Sequence, residues 1–166
     1  MDNFIDRLAK DFPHVAFSKG KSFCWSPERH EIIYKSDNFT EPGIWAVLHE
    51  LGHSLLGHTN YISDFGLIRM EAAAWQKAEE LAKQYDQKID KEHVQNCLDT
   101  YRDWLHRRSK CPLCSNVSLQ YDSNHYRCFN CHTTWKVSTS RFCRPYRQLA
   151  HIKEKSPAHK EQAIFS

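Results

Sequence analysis

Residues 41–58 read EPGIWAVLHELGHSLLGH, and most of what the chain folds into turns on how that stretch is arranged in space. At 100° per residue, Ile44, Val47, Leu48, Leu51 and Leu55 fall into one apolar stripe, while His49, Glu50 and His53 gather on the other side. This pattern predicts a helix over about 41–58, with Thr40 as its cap and Pro42 in its first turn. Within it, His49-Glu50-Leu51-Gly52-His53 is an HExxH motif. Residues i and i+4 lie about 40° apart around a helix and one turn along it, so two imidazoles at that spacing reach one tetrahedral ion. The glutamate between them points sideways, toward a water on the ion rather than the ion itself. Ala46 and Gly57 share this side and leave room above it.

The next helix supplies the third ligand. Ser63 caps it, it reaches about Gln84, and Leu67, Met70, Ala74, Trp75, Ala78, Leu81, Ala82 and Tyr85 form its buried stripe. Glu71 sits near the middle of that stripe, whereas Gln76, Lys77, Glu79, Glu80, Lys83 and Gln84 lie off it. A lone carboxylate on a buried face costs several kcal/mol of desolvation or takes up a proton. Binding a cation removes that cost, so His49, His53 and Glu71 are expected to hold a catalytic zinc, with the fourth position for water and Glu50 as general base. The alternative is an internal ion pair between Glu71 and an Arg or Lys. His58 is the rival ligand. It follows His53 by five residues, and the metzincin spacing, with Gly three and His six residues on, is not met. That leaves His58 as an outer partner of the site, a substrate-facing group or a helix-end residue on the dipole. Tyr61 and Arg69 are nearby groups suited to stabilising an oxyanion.

Around these two helices the expected fold class is α+β. Residues 2–12 form a short amphipathic helix ended by Pro13, and segments 14–18, 22–25 and 31–35 form a small antiparallel sheet. This sheet packs on the HExxH helix and two further helices, the last over about 90–106 with Val94, Cys97, Leu98, Tyr101 and Leu105 inward. A first domain is expected over 1–106, a zinc ribbon over 107–143, and a basic, polar, flexible tail over 144–166.

Seven cysteines are an odd number, and four of them form two CxxC pairs, Cys111/Cys114 and Cys128/Cys131, with 13 residues between. Two such knuckles predict a structural zinc held by four cysteines, with a hairpin turning at 122–124. Glycine commonly follows the second Cys of a knuckle, but here Ser115 and His132 stand there. His132 is an alternative ligand to Cys131. Cys24 and Cys97 read as small buried residues, and Cys143 as an exposed thiol or spare ligand.

Charge divides along the chain. Residues 1–106 carry 12 basic and 17 acidic side chains, a net of −5; residues 107–166 carry 11 and 3, a net of +8. In the basic part, Arg107, Arg108, Lys110, Arg127, Lys136, Arg141, Arg144 and Arg147 interleave with Tyr121, Tyr126, Phe129, Trp135, Phe142 and Tyr146. This mixture suits phosphates and stacked bases, an acidic protein surface, or a small aromatic core with a solvated rim. No apolar run approaches a membrane span, and acids stand where a signal peptide needs a basic then apolar start, so a cytoplasmic chain without a membrane partner is expected.

HELGHSLLGH over 49–58, a loop, and MEAAAWQKAEELA over 70–82 resemble the ImmA/IrrE family of metallopeptidases. The resemblance covers about residues 1–86. It implies a gluzincin-like zinc endopeptidase with His49, His53 and Glu71 as ligands, Glu50 as base, and a regulatory protein such as a transcriptional repressor as substrate. Two features depart from the family: Ala73, Ala74 and Trp75 stand where Asn or Asp is usual, and the loop between His53 and Glu71 is short. A SprT-like protease acting on DNA-bound proteins is a second reading, since that class also pairs HExxH with a zinc ribbon. A nucleic-acid-binding regulator on a non-catalytic scaffold is a third.

Overall fold

The computed structural model describes residues 2–36, 40–138 and 147–150. The chain divides into two compact units, one ending at Arg107 and the other beginning at Arg108. The first is α+β. Helix α1 (Asp2–Asp11) leads into strands β1 (Ala16–Lys19), β2 (Cys24–Ser26) and β3 (Glu31–Tyr34), followed by α2 (Glu41–Leu55), α3 (Asp64–Gln84) and α4 (Lys91–Ser109), the last running into the second unit.

The sheet is mixed rather than antiparallel. Its order is β1-β3-β2, with β3 parallel to β1 and antiparallel to β2. Alternation and turn residues predict where strands begin and end, not which become neighbours. Here β3 is the most apolar strand, and Ile32 and Tyr34 on one face are both buried. It takes the centre, while the more polar β1 and β2 become edges, as edges favour. The core joins Ile5 and Leu8 of α1, Ile32 and Tyr34 of β3, Val47, Leu48 and Leu51 of α2, Trp75, Ala78 and Leu81 of α3, and Val94 and Leu98 of α4. Tyr85, just past α3, donates its hydroxyl to Asp11 Oδ2 at 2.6 Å and so ties the end of α1 to the end of α3.

Helix α2 starts after Thr40, whose backbone is extended as a cap requires, although its side chain makes no capping hydrogen bond. Ser63 does cap α3, accepting from Gly66 N at 3.0 Å. Helix α2 is buried on both sides: Val47, Leu48 and Leu51 on one, His49, Gly52 and His53 on the other. In α4 the buried positions are Val94, Leu98, Trp104, Arg108 and Ser109, so Trp104 lies deeper than the predicted Tyr101 and Leu105.

The second unit contains a three-stranded antiparallel sheet, β4 (His125–Arg127), β5 (Thr134–Val137) and β6 (Arg147–Leu149). Strand β6 falls where a flexible tail was expected. Arg147 is half-buried and Gln148 and Leu149 are exposed, but the backbone of β6 completes the ladder on β5, with Trp135 opposite Leu149 and Val137 opposite Arg147. Side-chain pattern alone does not signal an edge strand held mainly by backbone bonds. The remaining tail, 151–166, and Arg141, Phe142, Cys143, Arg144 and Tyr146 lie outside the described residues. Among the described residues, no helix is long and apolar enough to cross a membrane.

Candidate metal centres

Helix α2 meets α3 backbone to backbone. A Cβ on Gly52 would stand 2.6 Å from the carbonyl oxygen of Ala74, too near for any side chain. Ala74 is itself fully buried. This close approach positions the site, because His49 lies one turn before Gly52, His53 directly after it, and Glu71 one turn before Ala74.

The three side chains converge. His49 Nε2 and His53 Nε2 are 3.1 Å apart, and Glu71 Oε2 lies 3.3 Å from the first and 3.6 Å from the second. Bonds of about 2.0–2.1 Å to one tetrahedral ion place ligand atoms about 3.3 Å apart, so the spacing fits such an ion. All three residues are buried, at 7%, 9% and 6% exposure. Among the described residues no hydrogen bond of ordinary geometry reaches Glu71 Oε2, and the groups facing it are imidazoles, not Arg or Lys. Burial pushes the Glu71 carboxyl up, but His49 and His53 outweigh it and hold the group well below the usual carboxylate range. These residues form a group able to hold a metal ion.

The two imidazoles have different surroundings. The His49 ring lies against Trp75 at 4.3 Å between centroids and 30° between planes, and among the described residues its Nδ1 has no hydrogen-bond partner. His53 instead meets His58, with the two Nδ1 atoms 2.9 Å apart. His58 therefore sits behind His53, on the nitrogen away from the cluster, and is not among the converging ligands. Burial, and then the nearby His53, lowers the pKa of His58. His93 of α4 packs edge-on against both Trp45 and Trp75 and so backs the same stack.

Glu50 is half-buried, and its Oε2 accepts from the backbone N–H of Trp25 at 2.8 Å. That N–H belongs to edge strand β2, and Trp25 Nε1 also donates to the carbonyl of His58 at 3.0 Å. Tyr61 and Arg69 line a cavity of about 570 Å³ together with His58, Met70, Ala73 and Gln76. Cys24 at the start of β2 is exposed rather than buried, because it ends on an edge strand, and Cys97 is half-buried.

The second group is Cys111, Cys114, Cys128 and Cys131. Cys111 and Cys131 sulfurs are 3.6 Å apart, and Cys114 and Cys128 sulfurs 3.5 Å. Bonds of about 2.3 Å in a tetrahedron require about 3.8 Å, so a modest expansion admits an ion. The two knuckles repeat one another. Ser115 N donates to Cys111 O and His132 N to Cys128 O, both at 3.0 Å. Cys111 N then donates to Asn116 O and Cys128 N to Thr133 O, both at 2.8 Å. Ser115 and His132 have φ of 62° and 58°, the left-handed backbone that glycine adopts most easily. His132 is exposed and stands outside the sulfur cluster. Backbone N–H groups, Cys131 N foremost, pull the Cys128 thiol down to about 6, whereas burial drives the Cys111 thiol up to about 11.

Behind the sulfurs the core is small: Tyr126 and Trp135, opposed across β4 and β5 and stacked at 5.5 Å, with Val137. Trp135 Nε1 donates to Arg108 O at 3.0 Å, and the Arg108 guanidinium lies over Tyr126. The interleaved basic and aromatic residues thus divide. Arg108, Tyr126 and Trp135 are interior, whereas Arg107, Lys110, Arg127, Lys136, Tyr121 and Phe129 are exposed.

The sequence places Trp75 on the buried stripe of α3, but the contact of Trp75 with His49, the roles of Trp25 and His93, and the Gly52–Ala74 contact were missed. Only the last had a signal: glycine in a helix interior is unfavourable by about 1 kcal/mol against alanine, so a close approach was its natural explanation. Comparison with protein-family models, with curated proteins and with solved structures finds no match.

Proposed function

We propose that the first unit is a zinc-dependent endopeptidase of ImmA/IrrE-like type, a hydrolase acting on a regulatory protein such as a transcriptional repressor. The observation that supports this reading most is the convergence of His49 Nε2, His53 Nε2 and Glu71 Oε2 within 3.1–3.6 Å, beside an intact Glu50. Two neutral imidazoles and one carboxylate are the donor set that suits catalytic zinc. Zinc bound there supplies a Lewis acid and an acidified water at neutral pH. The chain's own contribution is proton handling. Glu50, anchored through Oε2 to Trp25 N, accepts a proton from the attacking water and returns it to the departing amine. The cavity at His58, Tyr61 and Arg69 offers space for a substrate side chain, its wall mixing the apolar Met70 and Ala73 with one cation.

In this reading the second unit holds a structural zinc on its four cysteines, and its exposed cationic and aromatic residues dock the substrate or a nucleic acid. A SprT-like assignment is less favoured, since the third converging group is the carboxylate of Glu71 while His58 is directed at His53 Nδ1. A non-catalytic scaffold is less favoured because Glu50 is retained. The test is Glu50→Gln. The variant should keep two zinc ions per chain by elemental analysis and lose at least about a hundredfold in peptide hydrolysis. Full activity in that variant would remove Glu50 from the mechanism.

A further inference from the structure

We infer that His58 is a positioning residue: its Nδ1 accepts the proton of His53 Nδ1 and so fixes the tautomer in which His53 Nε2 faces Glu71 and His49. This rests on the metal-centre reading above and adds to it a device that selects which nitrogen of His53 is free.

The device begins with how α2 ends. Gly57 adopts φ +63°, and the last turn closes with Gly57 N donating to Ser54 O and His58 N to His53 O, both at 3.0 Å. These are the two bonds of a Schellman motif, with glycine at the left-handed position. The motif folds the chain back on the helix end and brings the His58 ring against the ring of His53, 4.9 Å between centroids. Trp25 Nε1 holds the His58 carbonyl from the other side at 3.0 Å. Side chain, backbone N–H and carbonyl of His58 are each engaged, so its ring has a fixed place.

The proton assignment then follows from chemistry. A neutral imidazole carries one proton on one of two nitrogens. His53 Nε2 lies 3.1 Å from His49 Nε2 and 3.6 Å from Glu71 Oε2, where a ligand needs a lone pair. Its proton therefore belongs on Nδ1, and the atom 2.9 Å beyond is His58 Nδ1, which must accept. Metal-binding imidazoles commonly donate their outer N–H to a carboxylate, carbonyl or water; here the acceptor is another imidazole. Among the described residues His49 Nδ1 has no such acceptor, and Trp75 covers its ring. The effect should therefore be confined to one of the two histidines.

The experiment uses the full chain. Zinc is counted on wild type and Glu71→Ala: two ions falling to one supports the metal-centre reading, and one ion in both overturns that reading and this inference together. Imidazole nitrogen NMR on the zinc-loaded wild type should show the shared proton on His53 Nδ1, with a nitrogen–nitrogen coupling across it to a bare His58 Nδ1. The reverse, or averaged nitrogens, overturns the inference alone. Chelator competition then compares His58→Leu with His58→Asn, whose Oδ1 sits near the place of the lost Nδ1. His58→Leu should weaken the second zinc by about tenfold to a hundredfold. His58→Asn should restore affinity to within a few-fold of wild type. Unchanged affinity in His58→Leu, or equal loss in both variants, overturns the inference.

Discussion

The two groups able to hold a metal ion sit in opposite kinds of structure. His49, His53 and Glu71 project from two long helices whose apolar faces belong to a core spanning all four helices and the sheet. Cys111, Cys114, Cys128 and Cys131 sit at two short turns backed by Tyr126, Trp135 and Val137. In the first unit the hydrophobic core stands apart from the candidate ligands, which are placed by helix packing. In the second, two of the buried core residues, Cys111 and Cys128, are themselves candidate ligands, so an ion held there would bind part of that core together. A fold that makes its site and a site that makes its fold should respond differently to the same perturbation.

Metal removal separates them most widely. Structural zinc in small modules contributes about 10–16 kcal/mol of apparent binding energy, far more than so small an aromatic core supplies. Exhaustive chelation, or Cys128→Ala, should abolish the dispersed amide signals of residues 108–138 while those of α2 and α3 persist. Survival of the β4–β5 amides without metal would erase the contrast. A mutation in the first unit should do the reverse. Gly52→Ala drives a methyl into the Ala74 carbonyl, and overpacking of this kind costs about 1–3 kcal/mol. We expect a lower Tm for the first unit and loss of one zinc per chain, with the cysteine-bound zinc retained. A variant that kept both ions and its Tm would mean that α2 and α3 can separate freely.

Acid distinguishes the units again. Glu71 has its folded pKa held below its ordinary value of 4.5, so it contributes stability above about pH 4.5 that is lost as pH falls through the folded value. In metal-free protein, the Tm of the first unit should fall by several degrees below about pH 4.5, and Glu71→Gln should flatten that slope. An unchanged slope in the variant would place the acid sensitivity elsewhere. The smallest effect belongs to the knuckles. Ser115→Gly and His132→Gly relieve left-handed backbone that costs an L-residue about 1 kcal/mol. Each should raise the stability of the zinc-loaded second unit by that order in denaturant titration, and a decrease would mean the side chains make compensating contacts.

What was legible in the sequence was what repeats along a single helix or turn. The placement of Glu71 on a buried face followed from its phase with Leu67, Ala74 and Ala78, and both CxxC pairs from their spacing. What was not legible depended on partners distant in the chain. The parallel pairing of β1 with β3 is decided by which strand buries most, and β6 by backbone bonds that its mostly exposed side chains do not advertise. Trp75 against His49 and Trp25 beside Glu50 also needed three dimensions. In α4 the expected inward positions Val94 and Leu98 are buried, but toward its end the buried position is Trp104, not Tyr101 or Leu105.

The glycine at position 52 has a mechanical consequence. With no side chain between them, the helices touch at a fulcrum, and the three converging atoms belong to residues within one turn of it. Rocking of α2 on α3 swings their distant ends widely yet barely alters spacing near the pivot. Slow amide exchange around 49–53 and 71–75, against faster exchange toward the ends of both helices, would be the trace of that lever.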